Sequence, residues 1–151
     1  MRRKDRETDR AEAEEILAKG LYGVISMNGA AGPYGIPVCH ALLRGALYFH
    51  CAGKGRKLEH LRADDRVSFC AVAEAESLPA DFSMRYRSAV VSGRAAEVTG
   101  SAEKLEALDA LVLKYSGPEH AAVGRTKAEA SLAVTAVYRI NIDEISGKAR
   151  R

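Results

Sequence analysis

The sequence has few of the features that mark secreted, membrane-bound and disulfide-rich proteins. It contains only 3 cysteines among 151 residues, and no two of them form a CxxC pair. An odd number without such a pair argues against a disulfide framework and for reduced thiols. No apolar run approaches the roughly 18 residues that a membrane helix needs, and the basic N-terminus lacks the apolar segment of a secretory signal. These absences predict a cytoplasmic protein without a membrane partner.

Charge and composition argue against two further classes. The chain carries 23 Lys and Arg against 20 Asp and Glu, a net charge of +3, whereas a nucleic-acid-binding domain of this size usually shows a clustered basic face. We therefore expect no nucleic-acid partner. The hydrophobic fraction of 47% is too high for a disordered chain. The length suits one domain over residues 1–151, in which residues 1–8 are expected to be flexible.

Hydrophobic periodicity predicts an antiparallel β protein with helices packed outside it. One helix is expected over 10–19 after the N-cap Asp9, and another from a capping Ser101 to Gly117-Pro118. A helix of about two turns is expected to open near Gly55. The strands are expected at 21–27, 34–43, 46–51, 66–75, 84–98 and 131–145. Because the hairpin loops are too short for parallel crossovers, we predict a small antiparallel barrel.

Three features of the strands carry more specific expectations. Pro37 lacks a backbone donor and belongs at a sheet edge or a bulge, and Gly93 marks a bulge or a bend in a long strand. The last strand alternates cleanly. Its apolar residues are expected on one face: Leu132, Val134, Ala136, Tyr138, Ile140 and Ile142.

The register of the hairpin between 34–43 and 46–51 has two solutions. If Arg44-Gly45 forms a two-residue loop, Cys39 lies opposite His50. If Leu43 joins the loop, the register slips and Val38 faces His50 instead. The sequence leaves both open.

The stretch YFHCAGKGRKLEHL, residues 48–61, combines four elements of an anion site. A strand ends and a helix begins, so free backbone N–H groups and the positive end of the helix dipole lie together. Glycines permit close approach to the backbone, and Lys54, Arg56 and Lys57 can bind phosphate. The alternative is an ordinary solvated basic turn. The run is neither a P-loop nor a GxGxxG fingerprint.

A metal site is the second candidate, because histidines and cysteines suit zinc. The candidate ligands are His40, His50, Cys39, Cys51 and Cys70. Neighbouring residues on a strand point to opposite faces, so one face gathers at most two of them, and we expect no metal. No Ser/His/Asp set, HExxH or paired-carboxylate motif stands out, which disfavours covalent hydrolytic chemistry.

Taken together, these motifs resemble the pyridoxamine 5'-phosphate oxidase-like FMN-binding proteins, in particular the branch named for 5-nitroimidazole resistance. The resemblance runs from residue 1 to about residue 148, with the motifs in the same order. They are MRRKDRE, PYGIPV, LYFHCAGKGRKLEHL, ADDRVSF, SMRYRSAVVSGRAAEV and ISGK.

The resemblance implies a mainly β, α+β fold, an antiparallel Greek-key split β-barrel with flanking helices. It also implies a homodimer with FMN at the interface and a small-molecule substrate, near which His50 would be catalytic. The residues that it assigns to the cofactor are Pro37, Val38, Cys39, His50, Cys51, Lys54, Gly55, Arg56, Lys57 and Ser88.

Departures from the family pattern bear on the substrate. Pyridoxamine 5'-phosphate oxidases carry an Arg and a Lys where this chain has Tyr34 and Cys39, which argues against oxidation of vitamin B6. We therefore predict an FMN-dependent oxidoreductase that acts on a nitroimidazole or a similar small electrophile. The alternative is a cofactor-binding carrier or sensor that does not turn over.

Overall fold

The structure is a computed structural model that describes residues 3–29 and 32–151. Part of the flexible segment predicted over residues 1–8 lies outside these residues. The eight strands within them form one antiparallel sheet. They are β1 (Glu7–Thr8), β2 (Gly23–Met27), β3 (Tyr34–Val38), β4 (Ala41–Leu43), β5 (Ala46–Ala52), β6 (Arg66–Leu78), β7 (Ser83–Glu97) and β8 (Thr135–Arg150). Glu7 and Thr8 of the segment predicted to be flexible form β1, which pairs with β8.

The sheet is rolled into a split barrel, as predicted, and its topology requires the curvature. The strand order is β3-β2-β6-β7-β8-β5-β4, so β3 and β4 are the two edges. A flat sheet would hold these edges nearly 30 Å apart at about 4.8 Å per strand. Only Cys39 and His40 join them, and this link spans at most about 11 Å. The edges therefore meet without pairing, and Pro37 lies on an edge strand as expected.

The hairpin between β4 and β5 has the two-residue loop. Leu43 pairs with Ala46, and Arg44 and Gly45 both have positive φ, at 51° and 76°, as a type I′ turn requires. Pairing ends at Ala41, however, and the continuous strand predicted over 34–43 breaks at Cys39 and His40.

Four helices pack around the sheet: α1 (Arg10–Lys19), α2 (Arg56–Ala63), α3 (Ser101–Ser116) and α4 (Ala121–Ser131). Asp9 caps α1 as predicted, because its side chain accepts from the Glu12 N–H at 2.8 Å. The cap predicted at Ser101 is wrong. Gly100 occupies the N-cap of α3, with no side-chain hydrogen bond, and Ser101 is the first helical residue.

The sheet separates two apolar cores. Alternate residues of β5 face opposite sides, so Leu47 and Phe49 lie in the barrel interior, whereas Tyr48 packs with α3 and α4 on the outer side. β8 shares both cores in the same way. Its predicted apolar face is confirmed from Ala136 to Ile142, but Val134 precedes the strand and is 75% exposed.

Gly93 marks a bulge, as predicted. The register between β7 and β8 shifts between Ser92 and Gly93, and the backbone carbonyl of Asn141 occupies the space that a Cβ at Gly93 would need. The close approach of the two strands therefore requires glycine at this position.

Candidate functional site

The junction between β5 and α2 presents uncapped backbone N–H groups. Gly55 is the N-cap of α2 and offers no side chain to accept hydrogen bonds from the first turn. Its φ of 124° is a conformation that favours glycine. A Cβ built there would meet nothing within 4 Å. The positive end of the helix is thus open to a ligand.

Three cations surround this helix end without a carboxylate partner. Lys54, Arg56 and Lys57 form no ion pair with any residue in 3–29 or 32–151, although cations elsewhere in the protein are commonly paired. Examples are the Arg66–Asp64 and Arg125–Asp109 contacts, at 2.7 and 2.6 Å. Like charges next to the positive end of a helix dipole oppose folding locally. An anion bound at this point would offset that cost.

A pocket of about 540 Å³ lies on the other side of β5, between the sheet and the helices α3 and α4. Cys39 and His50, both predicted as site residues, line its wall. Leu111 contributes apolar surface, and His120 and Lys127 contribute groups that can bind an anion. Its size suits a small organic molecule.

His50 lies near the end of β5, on the face that also carries Tyr48. Partial burial lowers the pKa of its imidazole, and the positive charge of Lys57 lowers it further. Since the usual pKa of histidine is about 6.5, His50 is mainly neutral at pH 7. It can therefore donate one hydrogen bond and accept another. Cys51, its neighbour, faces the barrel interior, where burial raises the pKa of the thiol.

A polar cluster that the sequence did not reveal holds the link between the two sheet edges. His40 is fully buried, and its Nε2 lies 2.8 Å from Leu17 O. The Tyr115 hydroxyl accepts from the backbone N–H of His40 at 2.9 Å and donates to Leu21 O at 2.7 Å. Tyr115 also lines the pocket beside Cys39. These contacts replace the strand pairing that is lost at Cys39 and His40.

The structure separates the remaining predicted residues. The side chain of Pro37 is exposed and that of Val38 is buried in the barrel core. Ser88 pairs with Lys148 of β8, whereas His50 pairs with Val137 of the same strand. These β8 positions are 11 residues apart, about 36 Å of strand at 3.3 Å per residue. One chain therefore does not bring Ser88 and His50 to the same wall.

Within the described ranges, no three His, Cys, Asp or Glu side chains lie close enough together to hold a common metal ion. None of the helices described in residues 3–29 and 32–151 has the length and apolar character to span a bilayer.

The fold defines a class of proteins, the antiparallel split barrels, and this one has an uncapped helix N-terminus at its junction of β5 and α2. The sequence profile of the family described as pyridoxamine 5'-phosphate oxidase matches residues 9–149. The chain belongs to this family. No curated protein matches the sequence.

Solved structures share the fold at low sequence identity. A protein from Bacteroides thetaiotaomicron, described provisionally as a 5-nitroimidazole antibiotic resistance protein, is 22% identical with a TM-score of 0.76. The alignment covers 93% of this chain and 83% of that one. A FAD-binding protein from Mesorhizobium loti is 24% identical with a TM-score of 0.70, over 97% and 98% of the two chains. The FAD and heme binding protein from Mycobacterium smegmatis is 20% identical with a TM-score of 0.82, over 97% and 74%.

Proposed function

We propose that the protein is an FMN-dependent oxidoreductase that reduces a nitroimidazole or a similar small electrophile. The observation that carries this proposal is the set of three cations, Lys54, Arg56 and Lys57, at the uncapped N-terminus of α2, for which residues 3–29 and 32–151 provide no carboxylate partner. A flavin phosphate carries the charge and the acceptor oxygens that this helix end lacks. The family, and the FAD-binding proteins of the same fold, support flavin as the ligand.

The residues at the N-terminus of α2 fit the phosphate of FMN. Backbone N–H groups of the first turn of α2 would bind its oxygens, and the side chains of Arg56 and Lys57 would add charge-assisted hydrogen bonds. Gly55 leaves space for the phosphate against the backbone. Each charged hydrogen bond contributes about 1.5–3 kcal/mol. The ribityl chain would then run along the end of β5.

The proposed assembly is a homodimer with FMN at its interface. The outer face of the sheet carries a row of neighbouring residues across four strands, Pro37, Val24, Cys70 and Val90. Val24 and Val90 are 37% and 43% exposed. A two-fold partner would cover these apolar side chains. The partner would also bring its Ser88 towards the site, since within one chain Ser88 and His50 lie far apart.

The pocket beside β5 is the proposed substrate site. Its apolar lining from α3 and α4 would exclude water around a small ring. His50, neutral at pH 7, would hydrogen-bond the substrate or donate a proton to it. The bound flavin would supply the electrons for reduction. The nitroimidazole assignment rests on the motifs of the sequence and on the description given to the Bacteroides thetaiotaomicron protein.

Two measurements test the proposal. The purified protein should be yellow from bound flavin, or become so after incubation with FMN, and FMN should bind more tightly than riboflavin. The FMN-loaded protein should then catalyse the reduction of a nitroimidazole by an added electron donor over many turnovers. Bound FMN that is never turned over would support a carrier or sensor instead. Protein that takes up no flavin would refute the proposal.

A further inference from the structure

The side chain of Arg56 is held by two aromatic residues that lie outside the proposed contact surface. Its Cζ lies 4.4 Å from the ring centroid of Tyr34. The Tyr34 ring in turn stacks on the imidazole of His60, with a centroid distance of 5.0 Å and an interplanar angle of 28°. Arg56 also contacts His60 directly, because its Nε lies 3.4 Å from His60 Nε2. Each of these three side chains, which we call the stack, thus contacts the other two.

His60 is the fixed member of this stack. The residue is only 5% exposed, and its Nδ1 lies 3.0 Å from the backbone oxygen of Asn28. A carbonyl oxygen only accepts, so Nδ1 carries the proton and Nε2 keeps a lone pair for the Nε–H of Arg56. Gly29 packs so closely on the imidazole that a Cβ there would collide with it. The ring therefore has little freedom to move.

The stack leaves the two terminal guanidinium nitrogens of Arg56 available to a ligand. Its Nε–H points to His60 and one face of its guanidinium lies on Tyr34, whereas its two terminal nitrogens pair with no carboxylate of the described ranges. A free arginine loses up to about 2 kcal/mol of rotamer entropy when it is fixed on a ligand. A guanidinium that is already stacked loses less, so it binds phosphate more tightly.

We infer that Tyr34 and His60 are positioning residues that hold Arg56 for the phosphate of the flavin. This inference rests on the proposed function, since it concerns the same N-terminus of α2. Neither residue contacts the ligand; both act through Arg56. Their effect is therefore confined to ligands that carry the phosphate, and it disappears when Arg56 is removed.

The test measures the affinities of FMN and riboflavin for the full chain and its variants. Tyr34→Leu removes the ring and should weaken FMN binding about two- to fivefold, the range of an exposed cation–π contact. Riboflavin binding should stay unchanged, because riboflavin lacks the phosphate. Tyr34→Phe keeps the ring and should bind FMN like the unmodified protein. His60→Leu removes the acceptor for Arg56 and should act in the same direction as Tyr34→Leu.

A double-mutant cycle separates positioning from a general structural effect. In an Arg56→Ala background, Tyr34→Leu should cause no further loss of FMN affinity. Equal losses for FMN and riboflavin, or an undiminished loss in the Arg56→Ala background, would overturn the inference. So would unchanged FMN binding in Tyr34→Leu while Arg56→Ala weakens it, and this result would leave the proposed function intact. Unmodified protein that binds neither flavin would overturn both.

Discussion

The ammonium nitrogen of the half-buried Lys114 lies 3.4 Å from Nε2 of the fully buried His40. Burial is the main cause that lowers the pKa of His40 to about 4, and the charge of Lys114 lowers it further. Burial also lowers the pKa of Lys114 to about 8. The C-terminal part of α3 and the link between the two sheet edges are thus joined by a neutral imidazole, that of His40, next to the charged Lys114.

This arrangement predicts that the free energy of unfolding decreases in acid. An unfolded His40 has a pKa near 6.5 and a folded one near 4, so the unfolded chain binds more protons between these values. The contribution is fully present above about pH 6.5 and is lost as the pH falls towards 4. Its size is about 3 kcal/mol in the free energy of unfolding. Urea unfolding at pH 7 and pH 4 measures it.

The matched variant is His40→Gln, whose amide can still donate to Leu17 O but does not titrate. Its free energy of unfolding should fall by about 3 kcal/mol less than that of the unmodified protein over the same pH interval. An NMR titration that places the pKa of His40 above 6 would contradict the account, whatever the stability of the variant.

The neutral state of His50 should depend on Lys57. Burial is the first cause of its lowered pKa and the Lys57 charge is the second, so Lys57→Met removes only the second. We expect the pKa of His50 to rise in this variant, as followed by the imidazole proton resonances in an NMR titration. Lys54→Met removes a charge of the same sign nearby and should leave the pKa unchanged. Equal shifts in both variants would argue against a specific effect of Lys57.

Gly93 should be more sensitive to substitution than another strand glycine. Gly93→Ala drives a Cβ against the carbonyl of Asn141 and should lower the free energy of unfolding by about 1–3 kcal/mol, the usual cost of overpacking. Gly35→Ala is the control, because a Cβ at Gly35 in the edge strand β3 would meet nothing closer than 3.6 Å. Its effect should stay within about 0.5 kcal/mol. Similar losses in both variants would refute the steric explanation.

A charge on the outer face of the sheet should break the proposed homodimer. Val90→Glu places a carboxylate at the β7 end of the apolar row, and light scattering should then report a monomer with weakened FMN binding. Leu113→Glu on α3, where the leucine is 51% exposed, is the control and should remain dimeric. An unmodified protein that is monomeric at all concentrations would contradict the proposed assembly.

The parts of the fold that follow from local sequence were predictable. Helix α1 begins after Asp9 and helix α3 ends before Gly117, and neighbouring residues determine the backbone geometry at both positions. Arg44-Gly45 suits a two-residue turn, although the sequence alone left the register open. The N-terminus of α2 was also predictable as a candidate site, because glycines and cations at a strand-to-helix junction are adjacent in sequence.

The parts that depend on distant contacts were not predictable. The strand over 34–43 breaks because the backbone of His40 bonds to Tyr115, which lies 75 residues away. The stack of Tyr34 on Arg56 and His60 likewise joins a strand and a helix that no local pattern connects. Val134 continues the alternation of the last strand in sequence, but the turn after α4 leaves it in solvent.

If the N-terminus of α2 binds the phosphate of FMN, the double variant Arg56→Ala, Lys57→Ala should lose most of its affinity in a titration with FMN. We expect a loss of roughly 3 kcal/mol or more in binding free energy, about a hundredfold or more in affinity, with riboflavin affinity unchanged. Arg62→Ala, at the other end of the same helix, should bind FMN normally. Unchanged FMN affinity in the double variant would contradict the claim.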